Sequence, residues 1–279
     1  SPMRPAVEAY LAYVVARWGA YADIWEVFNE DSWCPDDLLR RLAGVVRVAD
    51  PYRHPVTTNY DRPAEAWCDL LTPHTYQSLL PHEVPALLTT GAAARKSFGK
   101  PVIHTEFGNG SGRGNDDPVK WRLAAWTAFM NEEAVVFWNM SGRRIPVTAT
   151  GLKGNANAYL GPEARAYLKV LAGFTAGLPV TLRPAPIGWA DGGTIGLLAL
   201  ADSATTVLYL TNPDPAGRAV EPGALHMVGT GPGEFKVTWI DPADGRVTLR
   251  RDVAARERYA EIPAPGFTVD AAARITRRE

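Results

Sequence analysis

The sequence predicts an α/β protein in two parts, a partial parallel barrel followed by a small antiparallel β-sandwich. Three observations carry that prediction. Up to about residue 176, stretches of helical spacing alternate with short β-rich runs, the pattern of parallel strands joined by helices. Two of those runs, Ile24–Glu30 and Pro101–Gly108, are apolar and end at or near a carboxylate, as a buried parallel strand does when it delivers polar groups to the mouth of a barrel. From Gly177 onward the period changes to short alternating runs between Gly, Pro and Asp turns, which predicts antiparallel strands. The expected division is 1–176 for the barrel part and 177–279 for the sandwich.

Pro5–Trp18 carries Val7, Tyr10, Leu11, Val14 and Val15 at helical spacing, so an amphipathic helix leads into the first strand. In that strand, Ile24 to Glu30, alternation sets Glu26, Phe28 and Glu30 on one face and Trp25, Val27 and Asn29 on the other. Asp36–Ala49 is the next helix, opened by Pro35 and two acidic residues and burying Leu38, Leu39, Leu42, Val45 and Val46. His54–Tyr60 reads as a strand, Arg62–Trp67 as a short helix, and Asp69–Tyr76 as a strand ending in polar groups. Glu83–Phe98 is helical and stops at Gly99-Lys100-Pro101, where the second carboxylate strand begins. The polar loop Asn109–Asp117 is glycine-rich but lacks the ordered glycine or lysine pattern of a phosphate cradle, so it reads as the rim of a site. Pro118–Glu132 and Gly161–Phe174 are helices on either side of the strand Ala134–Asn139. Strands are then expected at 180–182, 194–200, 205–211, 235–240 and 245–249, with Asp244-Gly245 as a hairpin turn.

A chain of 279 residues can bury the cores of two domains, and 46% hydrophobic with 21% charged residues is an ordinary globular balance. A net charge of -1 offers no electrostatic footprint for nucleic acid or an anionic membrane, and no apolar run reaches the length of a membrane span. Neither partner is expected. Cys34 and Cys68 fall at opposite ends of their strands, a difference in level of about 17 Å, so two free thiols are expected. The start, Ser1-Pro2-Met3-Arg4, has no signal-peptide core and reads as a cut. Nine tryptophans supply indole faces of the kind sugar rings stack on, although most read as core residues.

Two carboxylates on the C-terminal tips of parallel strands are what glycoside hydrolysis requires. Taken singly, each piece has an ordinary explanation: Asn-Glu is a common dipeptide, a strand-end carboxylate is more often a cap or an ion-pair partner, and His74 or Trp138 alone reads as core. Together, Asn29-Glu30, His74-x-Tyr76, Glu106-Phe107-Gly108 and Trp138 stand at the ends of four strands, in chain order. On these residues the chain resembles the retaining glycoside hydrolases built on a TIM barrel, the clan of cellulases, mannanases and β-galactosidases, and within it family 5. The resemblance implies that these strands are the fourth, sixth, seventh and eighth of the barrel. It implies Glu30 as general acid/base, protonated when it meets substrate, and Glu106 as nucleophile. Asn29 is then expected to bind the sugar 2-hydroxyl, Tyr76 to hold Glu106, His74 to line the pocket and Trp138 to form its floor. Trp33, Trp67 and the 109–117 loop are rim candidates.

His104 shares strand parity with Glu106, which makes a metal site of His104, Glu106 and Glu30 conceivable, but no metal-binding spacing supports it; no metal and no cofactor are expected. The segment Val237–Pro242 resembles the small β-sandwich behind the barrel in several such hydrolases, some of which carry a collagen-binding label. Only five barrel strands are counted, so the resemblance implies a longer enzyme whose N-terminal barrel segment supplies the first three. An oligo- or polysaccharide is the expected partner, and a secreted or periplasmic location is implied. The competing expectation is an inert carbohydrate- or matrix-binding protein acting through the sandwich.

Overall fold

A computed structural model of the chain describes residues 4–30, 32–60, 62–77, 79–109, 117–139, 160–189, 195–228, 231–256 and 259–278. The first part alternates helices with short strands: α1 (Arg4–Trp18), β1 (Trp25–Glu26), α2 (Asp36–Ala49), β2 (Val56–Thr57), β3 (His74–Thr75), α3 (Val84–Lys96), β4 (Val102–Asn109), α4 (Pro118–Met130), β5 (Glu133–Asn139) and α5 (Pro162–Thr175). The remainder is strand: β6 (Arg183–Pro184), β7 (Ile187–Trp189), β8 (Gly196–Ala201), β9 (Thr205–Thr211), β10 (Ala224–Val228), β11 (Gly233–Ile240), β12 (Val247–Ala255), β13 (Tyr259–Pro263) and β14 (Asp270–Arg277). By contact density the chain divides into two compact units. One is Ser1–Tyr76, Ala93–Phe107 and Glu133–Val136; the other is Gln77–Ala92, Gly108–Glu132 and Phe137–Glu279.

In the first unit β1 pairs with β2, and β3 with β4, both parallel. The β1–β2 ladder continues past the strands, with Val27 N donating to Thr57 O at 3.0 Å and Asn59 N to Phe28 O at 3.2 Å. Between the pairs, Asp69 N donates to Val56 O and Val56 N to the Asp69 carboxylate, while the Thr57 hydroxyl donates to Leu70 O. Leu71 then bridges Val102 in parallel. Segments that were expected as one strand each, 54–60 and 69–76, thus run side by side in chain order, although only two residues of each qualify as regular strand. Helix α2 has its expected bounds. Its acidic first turn, Asp36 and Asp37, suits the positive end of the helix dipole. Leu39, Leu42, Ala43 and Val46 are buried at i, i+3, i+4, i+7 spacing, each large side chain contributing roughly 1.5–3 kcal/mol. Val46 packs with Val15, Val56, Trp25 and Val27, so the Trp25/Val27 face of the strand is the helix-covered one.

Several expectations are corrected. Arg62–Trp67 forms turns instead of a helix, six residues being too few to offset helix nucleation, and the Arg62–Asp36 ion pair at 2.6 Å ties its start to α2. On α1 only Val15 of the expected apolar face is buried, while Val7 and Tyr10 are exposed. The strand expected at 180–182 falls at β6, three residues on, and β7, β10, β13 and β14 were not anticipated. Cys34 and Cys68 are both buried free thiols. Among the described residues no helix is long and apolar enough to cross a membrane.

The second unit holds a six-stranded antiparallel sheet, order β12-β11-β14-β9-β8-β6, and a three-stranded one, order β13-β10-β7. Their facing residues, among them Val237, Trp239 and Ile275 against Leu225, Met227 and Ile262, form one core. The opposite face of the larger sheet packs Leu200, Val207, Tyr209 and Ala272 against Trp126 of α4 and Phe174 of α5, which is why these two helices cluster with the strands that follow them. The Asp241–Gly245 turn closes the β11–β12 hairpin, with Gly245 N donating to Asp241 O at 2.8 Å and Gly245 at φ +77°, a left-handed conformation that costs glycine little.

Candidate active site

The parallel array carries its polar groups at one end. His74 of β3 stands in register with Glu106 of β4, so their side chains leave adjacent strands at the same level. His74 Nδ1 lies 3.1 Å from Glu30 Oε1 and 3.5 Å from Glu106 Oε2. An ionised Glu30 only accepts, so Nδ1 carries the proton and donates to Glu30, with Glu106 beyond it at ion-pair distance. Its other nitrogen, Nε2, is buried without a hydrogen-bond partner among the described residues. An oxygen of Glu30, a nitrogen of His74 and an oxygen of Glu106 all lie within 4.8 Å of one another.

Tyr76, two residues beyond His74, donates its hydroxyl to Glu106 Oε2. Burial and the Glu106 carboxylate push the Tyr76 phenol above its ordinary range, so the hydroxyl keeps its proton and the bond keeps its direction. The Tyr76 and His74 rings meet edge to face at 6.2 Å. Glu106 is mostly covered, with 20% of its side chain exposed, whereas Glu30 is half exposed at 52%.

Glu30 does not stand on a strand tip as expected. Strand β1 ends at Glu26, and Glu30 follows in the left-handed region at φ +53°. For a residue with a Cβ this costs about 1–2 kcal/mol, and such strained positions cluster at functional sites. Asn29 is exposed beside it. Trp33 is also exposed and its ring meets Phe28 edge to face at 5.8 Å. Trp138 is half-buried on β5. Trp67 is half-buried against Cys68 and Leu71, in the core of the first unit. Most of the expected rim loop, residues 110–116, lies outside the described residues.

The conceivable metal set of His104, Glu106 and Glu30 is not what the chain assembles. Both ring nitrogens of His104 are taken: Nε2 lies 2.9 Å from Glu133 Oε2, and Nδ1 lies 3.0 Å from the Thr75 hydroxyl. With a carboxylate at Nε2, the proton sits there and Nδ1 accepts from Thr75. This buried Thr75–His104–Glu133 chain links β3, β4 and β5 next to the exposed-end cluster, and Glu133 was missed by sequence reasoning. A histidine two residues before Glu106 in an apolar strand was the available signal, since a buried imidazole needs polar partners.

No protein-family model and no curated protein sequence matches the chain, but solved structures do. A glycoside hydrolase family 5 structure from Bacteroides vulgatus is 16% identical with a TM-score of 0.62, the match covering 97% of this chain and 66% of that one. A second Bacteroides vulgatus structure assigned to the glycoside hydrolases is 18% identical with a TM-score of 0.60, and this chain spans 55% of its length while 98% of this chain is covered. A family 30 endoxylanase from Clostridium papyrosolvens is 13% identical with a TM-score of 0.54, with coverage of 100% and 72%. At identities of this order the likeness is one of fold, and the fold this chain shares is that of glycoside hydrolase structures.

Proposed function

We propose that the chain carries the catalytic carboxylates of a retaining glycoside hydrolase that cleaves β-linked glycosides. The observation that carries this reading is the pair of acids flanking His74, with one carboxylate oxygen of each within 4.8 Å of one of the other. Retaining enzymes place their two carboxyl groups about 5–5.5 Å apart, while inverting ones leave room for a water at about 6.5–9.5 Å. Glu106, covered and held by Tyr76, is the nucleophile. Glu30, half exposed at the rim where a leaving group departs, is the general acid/base.

In the first step a Glu106 oxygen attacks the anomeric carbon as the bond to the leaving oxygen breaks, and Glu30 gives its proton to that oxygen. In the second, Glu30 takes a proton from water, the water oxygen bonds to the anomeric carbon, and Glu106 departs as carboxylate. His74 holds Glu30 by a hydrogen bond and stands at ion-pair distance from Glu106. Asn29 contacts the sugar 2-hydroxyl, Trp138 forms the floor of the subsite and Trp33 its rim. Residues 1–176 correspond to strands four to eight of a (β/α)8 barrel of the cellulase, mannanase and β-galactosidase clan. Residues 177–279 form an accessory β-sandwich. A segment outside this sequence completes the barrel, and the enzyme acts on extracellular or periplasmic glycans.

The test is hydrolysis of aryl β-glycosides and of β-glucan, mannan and pectic polymers by this chain, alone and joined to a segment supplying three further strands. Glu106→Gln should lower kcat by about 10³-fold or more on every substrate. Glu30→Gln should lower kcat/KM on poor leaving groups while sparing kcat/KM on an activated dinitrophenyl glycoside, which departs without a proton; kcat on that substrate should still fall, because the second step has lost its base. Full activity in Glu106→Gln would refute the reading; glycan binding without hydrolysis in either form would favour a binding protein.

A further inference from the structure

On the larger antiparallel sheet the helix layer covers only part of one face. Helices α4 and α5 pack over Leu200, Val207, Tyr209 and Ala272, and Ile240 lies at the margin of that contact. Farther along β11 and β14 the same face is uncovered. Register places Lys236 opposite Thr276 and Thr238 opposite Arg274, and all four side chains line a groove of about 820 Å³. The other wall is one side of α5, where Lys169, Val170, Gly173 and Phe174 recur at helical spacing. The β11–β12 turn closes an end: a Cβ built on Gly245 would stand 3.4 Å from Val170 Cγ1.

The groove is cationic. Neither Lys169 nor Lys236 makes an ion pair or hydrogen bond among the described residues. Arg274 is fixed in place, its guanidinium 5.7 Å from the Phe174 ring centre and its Nη2 donating to the Phe174 and Ala176 carbonyls at the end of α5. The lining carboxylate, Asp244, has its own partner in Arg246 at 3.7 Å. Two unengaged ammonium groups therefore line one groove together with the apolar side chains of Val170, Phe174 and Ile240 and the hydroxyls of Thr238 and Thr276. That combination matches a chain whose faces are apolar, whose edges carry hydroxyls and which bears regularly placed carboxylates.

We propose that this groove binds a carboxylated polysaccharide, a polyuronate, seating its carboxylates on Lys169 and Lys236 and its hydroxyls on Thr238 and Thr276. The choice of a glycan over other anions rests on the reading that the protein acts on glycans; the choice of a carboxylated one rests on the groove alone. Pockets of this volume take ligands the size of a short oligosaccharide.

The experiment is calorimetric titration of the full chain with polygalacturonate, with the same polymer fully methyl-esterified, and with dextran sulfate and polyphosphate. Polygalacturonate should bind at least tenfold more tightly than its ester, which keeps the rings and loses the charge. The double variant Lys169→Gln/Lys236→Gln should lose at least tenfold for polygalacturonate and nothing for the ester. Gly173→Leu, whose new side chain finds open space in the groove and suits a helix, should obstruct binding without changing charge. Equal affinity for acid and ester, unchanged binding in both variants, or equal binding of dextran sulfate and polyphosphate would overturn the proposal, the last by marking a nonselective anion surface. Glu106→Gln should bind polygalacturonate as the parent does. Loss of hydrolysis and loss of groove binding are thus separate results, and each reading can fail alone.

Discussion

Arg122 of α4 and Asp270 of β14 are 148 residues apart and form a buried two-pronged ion pair. Nε lies 3.2 Å from Oδ2 and Nη2 lies 2.8 Å from Oδ1. Their side chains are 4% and 1% exposed. The Tyr209 hydroxyl donates to Asp270 at 2.9 Å, and the guanidinium lies 4.6 Å from the Tyr167 ring centre. Arg122→Met leaves the carboxylate buried with the tyrosine as its remaining named donor, and breaking such a pair costs about 3–5 kcal/mol. Asp270→Asn strands the guanidinium and should cost a comparable amount. The double variant Arg122→Met/Asp270→Asn removes both charges while the amide oxygen can still accept from Tyr209. Its loss should therefore fall well below the sum of the singles, with a coupling of about 2 kcal/mol or more. Urea unfolding followed by tryptophan fluorescence reads this directly, because Trp126 stacks on Tyr209 at 5.3 Å. At a urea slope of about 1–3 kcal/mol/M the single variants should lower the midpoint by about 1 M or more. Single losses below about 1 kcal/mol, or additivity in the double, would refute the argument that this pair is a buried, desolvated tie between helix and sheet.

Tyr76→Phe removes the hydroxyl that donates to Glu106. A hydrogen bond to a charged acceptor is worth about 1.5–3 kcal/mol, so kcat/KM on an aryl β-glycoside should fall roughly 10- to 150-fold with the fold intact by circular dichroism; an unchanged rate would show that the nucleophile is held otherwise. Lys120, buried on α4 with Nζ 3.4 Å from Gln77 O, has its pKa lowered by burial to about 8. The unfolded chain binds the proton up to about 10.4, so between pH 8 and that value the unfolded state holds more protons and stability rises with pH. Lys120→Met removes the titrating group, so its stability relative to the parent should fall as pH climbs through that window. A pH-independent difference in melting temperature would disprove it.

How much could be read in advance depended on how local the cause was. Helix α2 matched its expected bounds because its opening proline, acidic turn and apolar spacing all lie within fourteen residues. Strand β9 did so as well, being a run of β-branched and apolar residues between turns. Strand β14 was not read because its Ala271-Ala272-Ala273 core favours helix; it is a strand because β11 and β9 pair with it on both sides. Short strands at β1, β2 and β3 were overextended, since hydrophobic pattern marks which residues are buried but not where a ladder loses its regular twist.

The sequence by itself determined the alternation of helices and parallel segments, the antiparallel remainder, and the placing of His74, Tyr76 and Glu106 on neighbouring segments, although Glu106 lies within β4 and not at its end. Side-chain period and turn chemistry are local properties, so they are written along the chain. Tertiary structure alone decided that Glu30 reaches the site from a left-handed turn, that the two acids flank His74, and that His104 is committed to Glu133 and Thr75. It also decided that Lys169 and Lys236 face one groove and that Arg122 finds Asp270. Each of these joins residues from different elements, and their spacing in space is set by packing that no local pattern encodes.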